Sequence, residues 1–210
     1  MTELILVRHG ETAWNVEKIF RGRADVDLDE MGVRQAGLLG KYLSNWELEA
    51  IYSSPLTRAL DTANIIARYQ KVGVHTAEGL IDFDYGEWQS LPEQEVKRLH
   101  PALLDEWHNN PHKVSIPGGE SLEDVRGRAL EVINDVLCKH QGSVVLVSHR
   151  VVLKVLICYL LGLDNSHFWN IRQDVCGITI FNYVNGRFVL TRHNDTSHLR
   201  ELQESLLGDF

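Results

Sequence analysis

Two runs of consecutive apolar residues stand out along the chain: Leu4-Ile5-Leu6-Val7 and Val144-Val145-Leu146-Val147. Each reads as a strand buried on both faces. Elsewhere the apolar period changes. Val33, Ala36, Gly37, Leu39, Tyr42 and Leu43 recur at helical spacing and predict a helix over 29–45. A strand follows over 48–52, and Ser53-Ser54-Pro55 reads as a helix start, with serine as cap and proline in the first turn. A short strand is expected over 72–77, then two short helices over 92–100 and 101–108. Ser121-Leu122-Glu123-Asp124 resembles a capping box, opening a helix with the stripe Leu122, Val125, Ala129, Val132, Ile133, Val136, Leu137. An apolar helix over 151–161 is stopped by Gly162. Alternating strands over 177–183 and 187–192 flank Asn185-Gly186, a hairpin signal, and a last helix runs to about Leu206.

The two buried runs end in polar residues, Arg8-His9-Gly10 and Ser148-His149-Arg150. A buried strand has little structural reason to end in this way. In open α/β sheets, ligands sit beyond the carboxyl ends of strands. As neighbours in one parallel sheet, the two runs would deliver Arg8, His9, His149 and Arg150 to one crevice.

The chain of 210 residues fits one domain, 1–210. Its net charge of −8 argues against nucleic acid or an anionic membrane as partner. An arginine-rich crevice in such a chain requires a locally positive field, while the acidity itself reads as a solvated surface that aids solubility. The three cysteines, Cys138, Cys158 and Cys176, have no metal-site spacing and read as reduced thiols of a cytoplasmic protein. The first apolar run is too short, and lacks the basic flank, for a signal peptide. No segment approaches the roughly 20 apolar residues of a membrane span.

Three further stretches carry candidate chemistry. Arg21-Gly22-Arg23 suits an anion-binding loop, since glycine lets the backbone approach a ligand; an ordinary surface loop is the alternative. Arg58 falls near the positive end of a helix, where a cation is disfavoured unless an anion binds beside it; a salt bridge to Asp61 is the plainer reading. Leu80 to Trp88 alternates acids with aromatics and would serve as a solvated edge strand. The histidines lack metal-ligand spacing, and arginine neighbours would repel a divalent ion, so neither metal nor cofactor is expected.

Arg8-His9-Gly10-Glu11-Thr12-Ala13-Trp14-Asn15 resembles the signature of the histidine phosphatase, or phosphoglycerate mutase-like, superfamily. Ser53-Ser54-Pro55-Leu56-Thr57-Arg58-Ala59, Gly118-Gly119-Glu120-Ser121 and Val147-Ser148-His149 follow in that family's order. The resemblance implies a three-layer αβα sandwich, with a mostly parallel central sheet and an antiparallel C-terminal strand. It implies a metal-independent phosphomonoesterase acting on a small phosphorylated metabolite. His9 would be the nucleophile that forms a phosphohistidine, its other ring nitrogen held by a carbonyl of the Gly10 turn. Arg8, Arg58 and His149 would bind the phosphate, with Asn15, Arg21 and Gly22 on the same side. Tyr85 and Arg150 would face the rest of the substrate, with Arg150 either on a substrate carboxylate or turned away. The helical insert over about 88–120 would shape the pocket, Trp107, His108 and His112 either lining it or simply packing.

The proton donor departs from the pattern. The family's glutamate is replaced by Asp82, one methylene shorter, with Asp84 and Glu87 as alternatives. Within the superfamily, Pro111 to Val114 and the tail 194–199 resemble metal-independent phosphoserine phosphatases, which makes phosphoserine or phosphoglycerate the expected substrate. A phosphoglycerate mutase and an α-ribazole phosphatase are the neighbouring readings. A non-catalytic regulatory module rests on Asp82 alone and is opposed by Arg8, His9, Arg58 and His149. The last helix would fold over the site or join a homodimer interface.

Overall fold

The computed structural model describes residues 1–205, with the side chains of 203–205 left out of the description. A six-stranded sheet forms the middle layer. In chain order its strands are β1 (Thr2–Arg8), β2 (Leu48–Ser53), β3 (Val74–Thr76), β4 (Ser143–Ser148), β5 (Ile178–Val184) and β6 (Arg187–Asp195). Across the sheet they lie in the order β3-β2-β4-β1-β5-β6. The first four are parallel, while β5 runs antiparallel to β1 and β6 antiparallel to β5. Among the described strands β5 alone thus runs against the others, the antiparallel C-terminal strand that was expected, and β6 returns along it as the second arm of the hairpin. Their turn holds Asn185 and Gly186 at φ 50° and 77°, the left-handed pair that a two-residue hairpin needs.

The helices are α1 (Ala13–Val16), α2 (Glu30–Leu43), α3 (Thr57–Ala67), α4 (Glu93–Leu99), α5 (Pro101–Asn109), α6 (Leu122–Lys139) and α7 (Arg150–Leu160). Successive residues of a strand face opposite sides of a sheet, and the buried runs of β1 and β4 use both sides. Leu4, Leu6, Val144 and Leu146 pack into one apolar cluster with Val125, Ile133, Leu153 and Trp107. Ile5, Val7, Val145 and Val147 pack into another with Ala36, Leu39, Ala63 and Ile66. Helices therefore cover both faces, giving three layers. None of the described helices is long and apolar enough to cross a membrane.

Four local expectations are corrected. α3 starts at Thr57, not at the serines, and Pro55 precedes it. Its cap comes from elsewhere in the chain: Asp25 accepts from the Thr57 backbone N–H at 2.8 Å and from its hydroxyl at 2.7 Å. The strand expected over 72–77 shortens to Val74–Thr76, because only these residues pair with β2. The stretch 80–88 forms no strand; 3₁₀ turns at Glu78–Leu80 and Gly86–Trp88 hold it instead. The last element consists of 3₁₀ turns over Ser197–Ser205, with Leu199 buried in the α2 and α3 layer. Leu206 lies outside the described residues.

Candidate active site

Parallel pairing aligns Arg8 with Ser148, so the two polar strand ends meet. The His9 N–H donates to Ser148 O at 3.0 Å, and the His9 and His149 rings lie 5.2 Å apart. Both rings are buried. The turn after β1 is tight: a Cβ on Gly10 would come within 2.6 Å of Gly32 O, so α2 packs directly on this backbone. His9 Nδ1 lies 2.6 Å from Gly10 O, its own turn's carbonyl. A carbonyl can only accept, so Nδ1 carries the proton and Nε2 presents its lone pair. Burial lowers the His9 pKa well below its usual value, with the charge of Arg58, and then of His149, Arg8 and Arg21, acting in the same direction. His149 is lowered likewise, by burial first and by Arg58 next. Both imidazoles are neutral at neutral pH.

Arg58 is fully buried on the first turn of α3. Its Nη1 donates to Ala24 O at 2.8 Å, and its Nη2 donates to Gly22 O at 2.8 Å and Asp82 Oδ2 at 2.9 Å. The simple pairing with Asp61 is therefore replaced by a pairing with Asp82. Gly22 takes a left-handed φ of +53°, and a Cβ there would meet Gln89 Oε1 at 2.8 Å. Its glycine identity thus serves to turn a carbonyl onto Arg58. Arg58 Nε and His149 Nδ1 are buried donors with no hydrogen-bond partner among the described residues. Such groups are costly unless an acceptor reaches them, which a phosphate would do. Arg8 is also fully buried, with its Nη1 on Gln173 O at 2.9 Å.

Asp82 stands within this cluster. Its Oδ1 accepts from the Phe83 N–H at 2.8 Å, and its Oδ2 lies 3.6 Å from His149 Nδ1. Asp84 instead pairs with Arg23 and accepts from Gly86 N–H, and Glu87 faces His100 at 3.8 Å, so both belong to the surrounding loops. The Asn15 carboxamide oxygen accepts from both the N–H and the hydroxyl of Thr12, so this amide can meet a ligand only through its NH₂. Asn15, Arg21, Arg150, Trp107 and His108 line one small cavity at the entrance. Arg21, Gly22, Asp82, Tyr85 and Arg150 line a second. Tyr85 is buried, which pushes its hydroxyl up to about 12. Trp107 is buried and lines the entrance, whereas His112 is exposed and does not. Among the described residues, no group of three or more His, Cys, Asp or Glu is arranged to hold a metal ion.

Several contributors are not evident from the sequence. Ser54 Oγ lies 2.7 Å from His149 Nε2. Thr62 accepts from the Gly10 N–H and donates to Arg58 O, tying both arginine-bearing and histidine-bearing turns. Lys154, one helical turn beyond Arg150, is buried with its Nζ 4.6 Å from the Trp169 ring centre.

The histidine phosphatase superfamily (branch 1) model matches residues 4–196. The chain belongs to the histidine phosphatase superfamily. This phosphatase is similar to Phosphoserine phosphatase 1 of Hydrogenobacter thermophilus, with 39% identity over 202 residues, covering 96% of each chain. Among solved structures it resembles Bacillus stearothermophilus YhfR, with a TM-score of 0.92 and 34% identity over 95% of this chain and 100% of that one. It also resembles a phosphoserine phosphatase mutant from Entamoeba histolytica in complex with phosphoserine, with a TM-score of 0.81 and 31% identity, covering 95% of this chain and 100% of that one.

Proposed function

We propose that this phosphatase hydrolyses small phosphorylated metabolites, phosphoserine first among them, through a phosphohistidine on His9. The observation that carries the reading is the His9 ring itself: buried, neutral, and fixed by Gly10 O with its Nε2 lone pair turned from the backbone. A neutral imidazole held in one tautomer can attack phosphorus in line. Arg8, Arg58, His149 and the Asn15 amide then hold the phosphoryl oxygens, where planar guanidinium groups match in a bidentate way. Arg21 and the Gly22 loop close the same side. Breaking the ester bond leaves an alkoxide, and Asp82 gives it a proton. Water then attacks the phosphohistidine while Asp82 takes a proton back, as reversibility requires.

The substrate reading draws on the relatives named for phosphoserine and on the cationic entrance. Arg150 and Tyr85 at that entrance would meet the carboxylate of phosphoserine or phosphoglycerate. The three free thiols fit a cytoplasmic setting. No step calls for a metal ion. The test is phosphate release in EDTA from L-phosphoserine, 3-phosphoglycerate, α-ribazole phosphate and an aryl phosphate, with acid-quenched protein examined for acid-labile phosphate. His9→Ala should abolish turnover and labelling. Turnover that survives His9→Ala, or that stops in EDTA, would refute the mechanism.

A further inference from the structure

Arg128 lies on α6, away from the phosphate cluster, yet three of its five hydrogen bonds go to backbone carbonyls of the loop that carries Asp82. Its Nη1 donates to Gly79 O at 2.8 Å and Ile81 O at 2.6 Å. Its Nη2 donates to Asp82 O at 3.2 Å and Glu120 Oε2 at 3.0 Å, and its Nε to Glu120 Oε1 at 2.9 Å. A guanidinium has five N–H groups, and here each has an acceptor. The carbonyl that Arg128 skips, Leu80 O, accepts from the Ser148 hydroxyl at 2.7 Å. Every carbonyl from Gly79 to Asp82 is therefore tied to a fixed element. Glu120 continues the brace, accepting from Asp84 N–H at 3.0 Å and from Arg23 Nη2 at 2.8 Å. Gly79 packs so closely on α6 that a Cβ there would lie 2.4 Å from Arg128 O.

We propose that Arg128 is a positioning residue: its grip on three carbonyls of the 79–82 backbone sets the reach of the Asp82 carboxyl to the leaving-group oxygen. The shorter acid makes this necessary. Aspartate lacks the extra torsion with which a glutamate could correct a displaced backbone, so its Cα must already be placed. A misplacement of about 1 Å can cost on the order of 100-fold in rate. The inference rests on the proposed role of Asp82, and the test separates the two.

The test compares kcat on L-phosphoserine and on p-nitrophenyl phosphate, whose leaving group needs no proton. Asp82→Asn, Arg128→Ala, Arg128→Lys and the Asp82→Asn/Arg128→Ala pair are measured together. Arg128→Ala should lower kcat on the alkyl ester by about 30-fold or more and on the aryl ester by less than about threefold. The double variant should be no slower than Asp82→Asn. Arg128 also lines a cleft of about 790 Å³ with Tyr52, His75 and Glu131, so millimolar guanidinium can enter and should restore part of the alkyl rate. Equal losses on both esters, or multiplying losses in the double variant, would overturn the proposal. If Arg128→Ala fails to fold, Arg128→Lys carries the comparison: it keeps the charge but not the fork, and full alkyl activity would likewise overturn it. No ester preference in Asp82→Asn would instead refute the acid role itself.

Discussion

Ser54→Ala probes the tautomer of His149. The His149 Nδ1 faces Asp82 Oδ2 at 3.6 Å, and a nitrogen lone pair facing a carboxylate would be repelled, so the ring proton belongs on Nδ1. Nε2 is then an acceptor, and the donor is the Ser54 hydroxyl at 2.7 Å. That hydroxyl meanwhile accepts from the Leu56 N–H at 3.3 Å. Removing it leaves a buried nitrogen and a backbone N–H short of a partner, at a cost of about 1–3 kcal/mol. For a chain of this size this lowers Tm by roughly 2–12 °C. The catalytic effect is smaller. The Ser54 bond also orients the ring, so losing about 1–1.4 kcal/mol of His149 binding to the transferring phosphoryl group should lower kcat/KM roughly five- to tenfold. Thermal melts and steady-state kinetics measure both, and ¹⁵N spectra of the parent identify the protonated nitrogen. A proton found on Nε2, or a Ser54→Ala enzyme with unchanged kcat/KM, would refute the reasoning.

Stability should fall as pH drops below about 6.5: His9 and His149 have depressed pKa values when folded, so in that window the unfolded chain binds protons that the native one does not. Each contributes up to about 1.4 kcal/mol per pH unit until its folded pKa is reached, and urea melts at pH 7 and 5.5 should differ accordingly; equal midpoints would contradict neutral burial. Arg58→Ala should raise KM and cut kcat/KM by about 100-fold or more, since it removes a phosphate donor and the partner of Asp82; unchanged kinetics would make it structural. Gly32→Ala puts a Cβ 2.1 Å from Glu11 O, so calorimetry should record a loss of about 1–3 kcal/mol together with reduced kcat, and an unaltered Tm would mean the turn yields freely. Only Cys138 should react quickly with a thiol reagent in the native state, because burial pushes Cys158 to about 11 and Cys176 to about 12.

What was legible in the sequence follows from where the information is local. Runs such as Leu4 to Val7 identify buried strands by themselves, and the polar residues that end them identify a crevice. Local rules favour Ser53 and Ser54 as the start of α3, whereas its cap, Asp25, comes from a distant loop. Ser54 has another task, on His149, that only the fold creates. Gly22 suits a backbone approach to an anion by local rules, and only the fold reveals that its carbonyl also accepts from Arg58. Arg128 left a faint signal: a charge three residues after Val125 and four before Val132, at the edge of the α6 stripe. Nothing in the sequence says that such a charge would hold a loop. The insert is least legible, since the burial of Trp107 depends on Phe83, Tyr85, Phe168 and Trp169, drawn from two stretches distant from it and from each other.

The place of β1 in the sheet has a consequence for synthesis. Both neighbours of this first strand, β4 and β5, come from the last third of the chain. While the ribosome is still extending the chain, β1 has no edge to pair with, and the histidine turn behind it has neither Ser148 O nor His149 beside it. Its apolar face must wait, or be shielded by a chaperone, until both late strands emerge. Closing such distant pairs is slow, and a nascent chain halted before β4 can hold no assembled catalytic centre. Activity in a cell-free translation should accordingly appear only with chains that extend past β5, making phosphate release a reporter of complete folding.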